Sequence, residues 1–387
     1  TERGLVPIIE ALECKETESG RILDLVAQGI EPIYVLTTSR GYRVRGTANH
    51  RVQPADGSDH WIELGTACGR SVRLTPPRFA ERPFVCQLND VPCASTRMEI
   101  TPAWGRFLGY FMGDGCYYGV AHNSPAPVSV SALEVACFAP DRDVIDDITG
   151  LLTSLFGRPV TQREQTKAGY ATRCTRVRIR GQALFGPLIA CDAIQKNGLR
   201  WKRWVHVPEV IWRSPRPVVR EFLRGLFETD GSADRTGDVS FAARDETLIR
   251  DVQLLLLGFG ITSRIIPHTT RRSGKSWTCP KLCLTRLESI RFADEIGFIG
   301  ARKRERNGRT TVRRAASCLP ISFSDVVTSV QAAGEAPVFD LALPGPHVFS
   351  ANGISVHNSE PDRLRHIQLP FNQLMDGLVR NQLLSNV

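Results

Sequence analysis

The sequence predicts an all-β domain that is split in two along the chain, with an α+β domain of internal pseudo-twofold symmetry inserted between the halves. Both ends of the chain consist of short alternating stretches separated by turn residues, which is typical of strands. The middle contains two copies of one mixed helix and strand unit. We place the split domain at residues 1–95 and 317–358, the insert at 96–316, and a separate C-terminal segment at 359–387.

The composition is that of a globular protein and excludes fibrous, disordered and membrane classes. The 387 residues are 42% hydrophobic and 23% charged. The longest largely apolar stretch, Val252–Ile261, is about half as long as a membrane-spanning helix. The eleven cysteines are scattered without a Cys-x-x-Cys pair, and the N-terminal residues contain no apolar signal segment. We therefore expect reduced thiols, a cytoplasmic location and no membrane partner.

The strands at both ends follow from β-branched or alternating residues between turn signals. The predicted strands are Ile33–Thr38, Gly41–Gly46, Trp61–Glu63, Ser71–Leu74, Ser322–Val330, Val338–Leu343 and Val348–Ala351. Because the two groups are far apart in sequence but alike in pattern, they predict one all-β domain closed in space.

The repeat in the middle begins with two similar helical stretches, Phe107–Gly115 and Phe222–Gly231. Each stretch is followed by a second helical run, a strand, a third helical run and a basic cluster. In the first copy these are Ile145–Phe156, Arg176–Arg180, Ala183–Ala193 and Arg200–Arg203; in the second they are Ile249–Phe259, Lys281–Thr285, Leu287–Ile296 and Arg302–Arg304. The order predicts two copies of one α+β unit.

Glycines spaced four residues apart predict that the first helices of the two copies pack closely. Gly105, Gly109 and Gly113 lie on one face of a helix that we expect to begin near Pro102. Each helix ends in Asp-Gly, and we expect the glycine to take the left-handed conformation of a helix cap. Side-by-side packing would bring Asp114 and Asp230 together, and a divalent cation would relieve their repulsion. Mg²⁺ is the usual choice for oxygen ligands, and such sites serve attack on phosphodiesters. The alternative is two ordinary helices with exposed Asp residues at their ends.

The net positive charge of one segment exceeds that of the whole chain. Residues 264–314 contain fourteen Arg or Lys and four Asp or Glu, a net charge of +10, whereas the whole chain has +9. Such a concentration favours a polyanionic partner, most often nucleic acid. The basic residues that we expect to contact its phosphates are Arg271, Arg272, Lys275, Lys281, Arg302 and Arg304.

The two acidic-ended stretches resemble the paired motifs of LAGLIDADG homing endonucleases, over about Thr101–Arg314. The resemblance implies a monomer that binds a long asymmetric site on double-stranded DNA with its strands in the major groove and cuts both DNA strands. It implies that Asp114 and Asp230 are catalytic metal ligands, and that Lys202 and Lys303 are the basic residues that assist the chemistry. The alternative for the lysines is a solvated basic face or a phosphate contact.

The stretch Val338–Ser359 carries a second chemistry. The side-chain nitrogen of Asn358 can attack its own backbone carbonyl, which forms a succinimide and breaks the bond to Ser359. His357 can protonate the leaving amine, and His347 can help to activate the amide. The hydroxyl of Ser359 can accept an acyl group.

This stretch resembles the C-terminal motifs of inteins, which end in His-Asn before the first residue of the C-extein. Thr1–Ile8 resembles the end of the first intein motif, and Gly46–His50 resembles the Thr-x-x-His motif. The resemblance implies a Hint-type splicing domain that needs no cofactor. It also assigns roles to residues near the scissile bonds: His50 destabilises the N-terminal peptide bond, Thr47 helps to polarise it, and Asp340 coordinates the steps.

The chain departs from inteins at its start, because they begin with a Cys or Ser nucleophile upstream of the position matching Thr1. Cys14 lies too far downstream to replace it. We therefore expect incomplete splicing with cyclisation of Asn358 retained, and residues 359–387 to begin the C-extein of a host protein. The alternatives are a splicing element whose endonuclease only binds DNA, a stand-alone LAGLIDADG DNA-binding protein, and a hedgehog-like autoprocessing protein.

Overall fold

The computed structural model describes residues 1–17, 20–56, 58, 60–88, 97–120, 129–166, 173–181, 184–197, 200–203, 206–272, 275–309, 323–343 and 347–358. The chain forms two compact units, Thr1–Phe79 with Ile321–Val387, and Ala80–Pro320. In the described ranges, no helix is both long enough and apolar enough to cross a membrane.

The elements are numbered in chain order. The strands are β1 (Glu16–Thr17), β2 (Gly20–Arg21), β3 (Asp24–Thr38), β4 (Arg43–Gly46), β5 (Arg51–Val52), β6 (Ile62–Glu63), β7 (Ser71–Arg73), β8 (Val85–Gln87), β9 (Arg97–Glu99), β10 (Gly115–Val120), β11 (Ser129–Phe138), β12 (Val160–Thr166), β13 (Arg173–Arg180), β14 (Ile194–Asn197), β15 (Arg200–Arg203), β16 (Gly231–Ala233), β17 (Val239–Ala242), β18 (Arg264–Arg272), β19 (Lys275–Cys283), β20 (Ser324–Ala342), β21 (Val348–Ala351) and β22 (Ile354–His357). The helices are α1 (Pro102–Asp114), α2 (Arg142–Phe156), α3 (Phe185–Ala190), α4 (Glu209–Trp212), α5 (Arg216–Asp230), α6 (Glu246–Gly258), α7 (Arg286–Glu295) and α8 (Ala301–Gly308).

Where the structure describes it, the first unit is built from strands and two short 3-10 turns. Its two four-stranded sheets run in the orders β4-β3-β20-β7 and β21-β22-β5-β6, so strands from both ends of the chain share each sheet. Apolar side chains that alternate with polar ones fill the core between them. Fully buried examples are Leu36, Val52, Val72, Ile354 and Val356. An all-β unit split in sequence is thus observed.

The prediction of two separate strands, Ser322–Val330 and Val338–Leu343, was wrong, because residues 324–330 and 338–342 belong to the single strand β20. That strand pairs antiparallel with β3, and the pairing shifts register at three places, one of them between Ala332 and Glu335. Gly334 lies within this shift at φ +82°, a conformation that glycine adopts without strain. The bulges therefore bend one long strand where the sequence suggested two.

The second unit contains the predicted repeat. Each copy runs helix, two strands, helix, two strands: α1-β10-β11-α2-β12-β13 and α5-β16-β17-α6-β18-β19. The sheets have matching orders, β10-β11-β13-β12 and β16-β17-β19-β18. The prediction of two copies of one α+β unit is therefore confirmed.

Helices α1 and α5 are in backbone contact through their glycines. A Cβ atom on Gly109 would lie 2.1 Å from the carbonyl oxygen of Phe222, and one on Gly105 would lie 2.4 Å from that of Val218. From the other helix, a Cβ on Gly225 would lie 2.4 Å from the carbonyl oxygen of Arg106. Such distances leave no room for any side chain, so the glycine spacing sets how close the two helices come.

The expected left-handed glycine caps were wrong. Gly115 and Gly231 have φ −80° and −81° with extended ψ, because each helix passes directly into a strand. A glycine is needed for a different reason. A Cβ on Gly115 would lie 2.5 Å from the carbonyl oxygen of Phe111, and a Cβ on Gly231 would lie 2.5 Å from that of Phe227.

The predicted boundary between residues 95 and 96 falls inside a hairpin of the second unit. Strands β8 and β9 pair with each other, and the amide of Ile100 donates to the carbonyl of Phe84 at 2.8 Å. The amide of Ala80 donates to the carbonyl of Ser214 at 3.2 Å, so the unit begins near Ala80. The boundary predicted at residue 316 and the segment 359–387 lie outside the described residues.

Replacement of Gly109 by alanine is expected to destabilise the second unit by about 2 kcal/mol or more, because the methyl group meets the backbone of α5. The matched control is Gly150→Ala on α2, where no atom lies within 4 Å of the new Cβ. We expect the control to be stabilising by about 0.5–1 kcal/mol. Urea denaturation followed by helical circular dichroism measures both changes, since the described α-helices all lie in this unit. Equal midpoints for the two variants would contradict the close contact.

Candidate functional sites

The acidic ends of α1 and α5 are adjacent. Asp114 and Asp230 are the last residues of their helices, and both are exposed. The residues just before them meet across the helix contact, since a Cβ on Gly113 would lie 1.8 Å from the Thr229 hydroxyl oxygen. The structure therefore brings the two predicted metal ligands to the same end of the helix pair.

The donor set fits a Mg²⁺ ion that keeps part of its water shell. No group of three or more His, Cys, Asp or Glu residues suited to a metal is found in the described part of the chain. Mg²⁺ does not require one, because it commonly takes one or two carboxylates and completes its shell with water and phosphate oxygens. Two exposed carboxylates at one end of a helix pair meet that requirement.

Lys303 lies in a different environment from the one expected of a solvated basic face. It is buried in α8, and its ammonium donates to the carbonyls of Phe227 at 3.1 Å, of Gly231 at 2.7 Å and of Glu228. Burial lowers the pKa of Lys303, whereas the nearby carboxylate of Glu228 acts in the opposite direction. The corresponding Lys202 lies in β15, and its side chain is outside the described residues.

The predicted DNA contacts fall on different elements. Arg302 was predicted to contact DNA, but its guanidinium donates to both carboxylate oxygens of Asp141, at 2.8 and 2.6 Å, and thereby joins α8 to the start of α2. Arg304 is exposed on α8, and Lys281 is half-buried on β19. The side chains of three further predicted contacts lie outside the described residues: Arg271, Arg272 and Lys275.

The first repeat presents basic residues that the charge count did not single out. Arg176 and Arg178 alternate with buried residues on β13, so both point away from the core. Each forms an ion pair with Glu134, and the Arg178 pair is 2.8 Å long. These two Arg residues hold the pKa of Glu134 below its usual value, against the opposing effect of burial. Two guanidinium groups paired with one carboxylate leave a net positive charge on this sheet.

In the first unit, five of the predicted splicing residues line one cleft of about 1300 Å³: Thr47, His50, Asp340, His357 and Asn358. The cleft forms because β22 pairs with β5, which sets His357 opposite Arg51 and hence beside His50. Residues separated by some 300 positions in sequence thus meet at one site.

Asn358 is held so that its side-chain nitrogen is available. The residue is 1% exposed, and its backbone amide donates to the carbonyl of His347 at 2.7 Å. Its Oδ1 accepts a hydrogen bond from the amide of Leu341 at 3.1 Å. Its Nδ2 is buried and has no hydrogen-bond partner among the described residues. A buried amide nitrogen without a partner is rare in proteins and is a candidate reactive atom.

The other cleft residues interact with one another electrostatically. Burial lowers the pKa of His50; Asp340 acts to raise it and His357 acts to lower it. The carboxylate of Asp340 accepts a hydrogen bond from Gln28 at 3.0 Å, and the ring of His357 packs edge-on against Trp61 with centroids 4.6 Å apart.

Thr47 forms hydrogen bonds within its own turn, and His347 has a strained backbone conformation. The hydroxyl of Thr47 donates to the side chain of Asn49 at 2.6 Å, and its carbonyl accepts from the amide of His50 at 3.1 Å. His347 has φ +52°, which is unusual for a residue with a side chain, and its ring lies 6.0 Å from that of His357. Ser359 lies outside the described residues.

Three residues that sequence reasoning missed complete the sites: Gln28, Trp61 and Glu228. Gln28 lies before the predicted strand Ile33–Thr38, and Trp61 begins the predicted strand Trp61–Glu63; neither belongs to a motif, so nothing in the sequence distinguished them. Glu228 precedes Asp230 by two residues, and an acidic residue in the last turn of a helix was an available signal. Its carboxylate accepts hydrogen bonds from the amides of Ile299 and Gly300.

Comparison with known proteins identifies the second repeat. Residues 217–297 match the family model of the LAGLIDADG-like domain. The chain is 26% identical over 421 aligned positions to the replicative DNA helicase DnaB of Rhodothermus marinus, covering 88% of this chain and 41% of the helicase. It is 28% identical over 292 positions to a DNA gyrase polypeptide of Mycobacterium kansasii, covering 73% of this chain and 46% of the gyrase polypeptide. The chain thus spans less than half the length of either relative.

Among solved structures, I-DmoI in complex with DNA and Mn is 15% identical and aligns with a TM-score of 0.36. The alignment covers 51% of this chain and 97% of that chain.

The pKa of His50 is expected to lie below its ordinary value of 6.5, because burial disfavours the imidazolium ion. Asp340→Asn removes the attraction that favours the charged form, so the pKa should fall further. His357→Gln removes a repulsion and should raise it. Titration of the His50 ring protons by NMR measures all three values, and a rise in Asp340→Asn would contradict the arrangement of the cleft.

Proposed function

We propose that this chain combines two activities, site-specific cleavage of double-stranded DNA by the second unit and intein-type protein splicing by the first. The observation that carries the first is the glycine contact that sets Asp114 beside Asp230. The observation that carries the second is the cleft that gathers His50, Asp340 and His357 around Asn358. We assign the first unit to the Hint type and the second to a monomeric LAGLIDADG endonuclease.

In the DNA-cleaving unit, Asp114 and Asp230 would hold Mg²⁺ together with water. A bound Mg²⁺ stabilises the charge that develops on a phosphate and lowers the pKa of a bound water. The basic solvent faces of the two sheets bind the DNA, and their different side chains fit an asymmetric site. Arg176 and Arg178 lie on the first sheet, and Lys281 lies on the second. Contacts of this kind to phosphates position the DNA, and contacts to bases select the sequence.

In the splicing unit, Nδ2 of Asn358 attacks the backbone carbonyl carbon of the same residue. The new C–N bond closes a succinimide, the bond to the nitrogen of Ser359 breaks, and the leaving nitrogen takes a proton from His357. Nδ2 loses one proton to the ring of His347, which acts as the base that activates the amide, and the negative charge that this places on Oδ1 is stabilised by the amide of Leu341. In complete splicing, His50 and Thr47 act first at the upstream peptide bond, and Ser359 accepts the acyl group before Asn358 cyclises.

The relatives support an inserted element. A replicative helicase and a gyrase are different enzymes, yet polypeptides of both match most of this one chain. A segment shared by unrelated enzymes is better explained as an insertion in both than as part of either activity. We infer that residues 359–387 begin a host protein, and that cleavage of host DNA lacking the insertion spreads the element in the cytoplasm.

Asp114→Asn and Asp230→Asn are each expected to reduce DNA cleavage by about a thousandfold or more, because each removes a charged metal ligand. The substrate is a plasmid carrying the uninterrupted host sequence around the insertion point, with Mg²⁺ present. DNA binding in gel-shift assays should persist, since the basic faces are intact. Asp146→Asn, an exposed residue of α2, is the matched control.

Parent-like cleavage by either variant would contradict the metal site. If the parent protein binds this DNA but neither nicks nor cuts it, the unit is a DNA-binding remnant of an endonuclease.

Incubation of the full chain at neutral pH is expected to release residues 359–387, because Asn358 is already held with its nitrogen unpaired. Asn358→Ala should abolish the release. Asn352→Gly is the control, since this residue sits at φ +49° in a nearby turn and glycine tolerates that conformation. Intact mass spectrometry gives the result, and release in Asn358→Ala would contradict the mechanism.

A further inference from the structure

The C-terminal end of α5 is an unfavourable position for Asp230. The last carbonyls of a helix carry partial negative charge, so a carboxylate there is repelled. Asp230 occupies this position, and it attracts the ammonium group of Lys303 electrostatically. The positive charge of Lys303, which lies on α8, therefore acts in favour of the carboxylate at this helix end.

Lys303 uses its whole hydrogen-bonding capacity on that helix end. An ammonium group has three donors. The structure gives it three acceptors, the carbonyl oxygens of Phe227, Glu228 and Gly231. The side chain is 10% exposed. With three bonds to the backbone around Asp230, it has no donor left for a phosphate or a water molecule.

Helix α8, which carries Lys303, is fixed by other contacts. The carboxylate of Glu228 accepts hydrogen bonds from the amides of Ile299 at 2.8 Å and Gly300 at 2.9 Å, at the start of α8. The amide of Ala301 donates to Asp143 at 2.6 Å. These bonds hold α8 against both repeats, so Lys303 acts from a rigid support.

We propose that Lys303 is a positioning residue, which holds the last turn of α5, and with it the carboxylate of Asp230, in the orientation that binds the divalent cation. This inference rests on the proposed metal site and replaces the direct role in chemistry that the sequence resemblance implied. The direction in which the cation affinity changes when Lys303 is removed distinguishes this role from a purely electrostatic one. Removal of a positive charge near a cation site strengthens binding if the charge acts only through space, whereas loss of ligand positioning weakens it.

The test is a titration of the full chain with Mn²⁺ alone, without DNA, followed by electron paramagnetic resonance. Lys303→Met is expected to weaken Mn²⁺ binding by about tenfold. Arg306→Met removes the same charge from an exposed position of the same helix and should leave the affinity unchanged. Amide hydrogen exchange of residues 227–233 should be faster in Lys303→Met than in the parent protein, and unchanged in Arg306→Met.

A second variant covers the case in which Lys303→Met does not fold. Lys303→Arg keeps the charge, but its planar donors cannot converge on three carbonyls, so we expect weaker Mn²⁺ binding here too. Unchanged or tighter binding in the folded Lys303 variants would overturn the inference. If Asp114→Asn and Asp230→Asn also leave Mn²⁺ binding unchanged, the metal site itself fails; if they abolish binding, only the role of Lys303 fails.

Discussion

The backbone contact between α1 and α5 is the constraint on which the second unit depends. At the crossing, glycines of both helices face backbone atoms of the partner helix, so the two backbones touch and the repeats are held at a fixed distance. Because each helix passes directly into the first strand of its sheet, the same contact also fixes where the two sheets begin. The adjacency of Asp114 and Asp230 is a consequence of this packing, and the bonds from α8 stabilise the acidic end that the packing creates.

The sequence predicted this contact because glycine spacing on a helix face is a local signal that survives in the fold. It did not predict the ends of the helices correctly. The Asp-Gly pairs suggested left-handed caps, but the glycines are extended and are required by the proximity of Phe111 and Phe227. Likewise, the cluster of basic residues predicted DNA contacts, but the sequence did not show which of these residues form ion pairs within the protein. Only the fold pairs Arg302 with Asp141 and buries Lys303 beneath α5.

In the splicing cleft, the reactive residues were predictable from the sequence, because they belong to short motifs at the two ends of the chain. The residues that contact them were not predictable, because long-range strand pairing brings them there. Gln28 reaches Asp340 only because β3 and β20 pair along their length, with bulges that no local pattern reveals. Trp61 likewise meets His357 only through the β22-β5-β6 sheet. Pairing across some 300 residues thus turns two sequence motifs into one site.

The central claim is that helix packing brings Asp114 and Asp230 into one divalent metal site. The most direct measurement is an anomalous difference map from crystals of the full chain soaked in Mn²⁺. The account predicts a peak within coordinating distance of carboxylate oxygens from both residues, about 2.1 Å as for Mg²⁺. Peaks that contact only one of the two carboxylates, or that lie elsewhere in the unit, would contradict it.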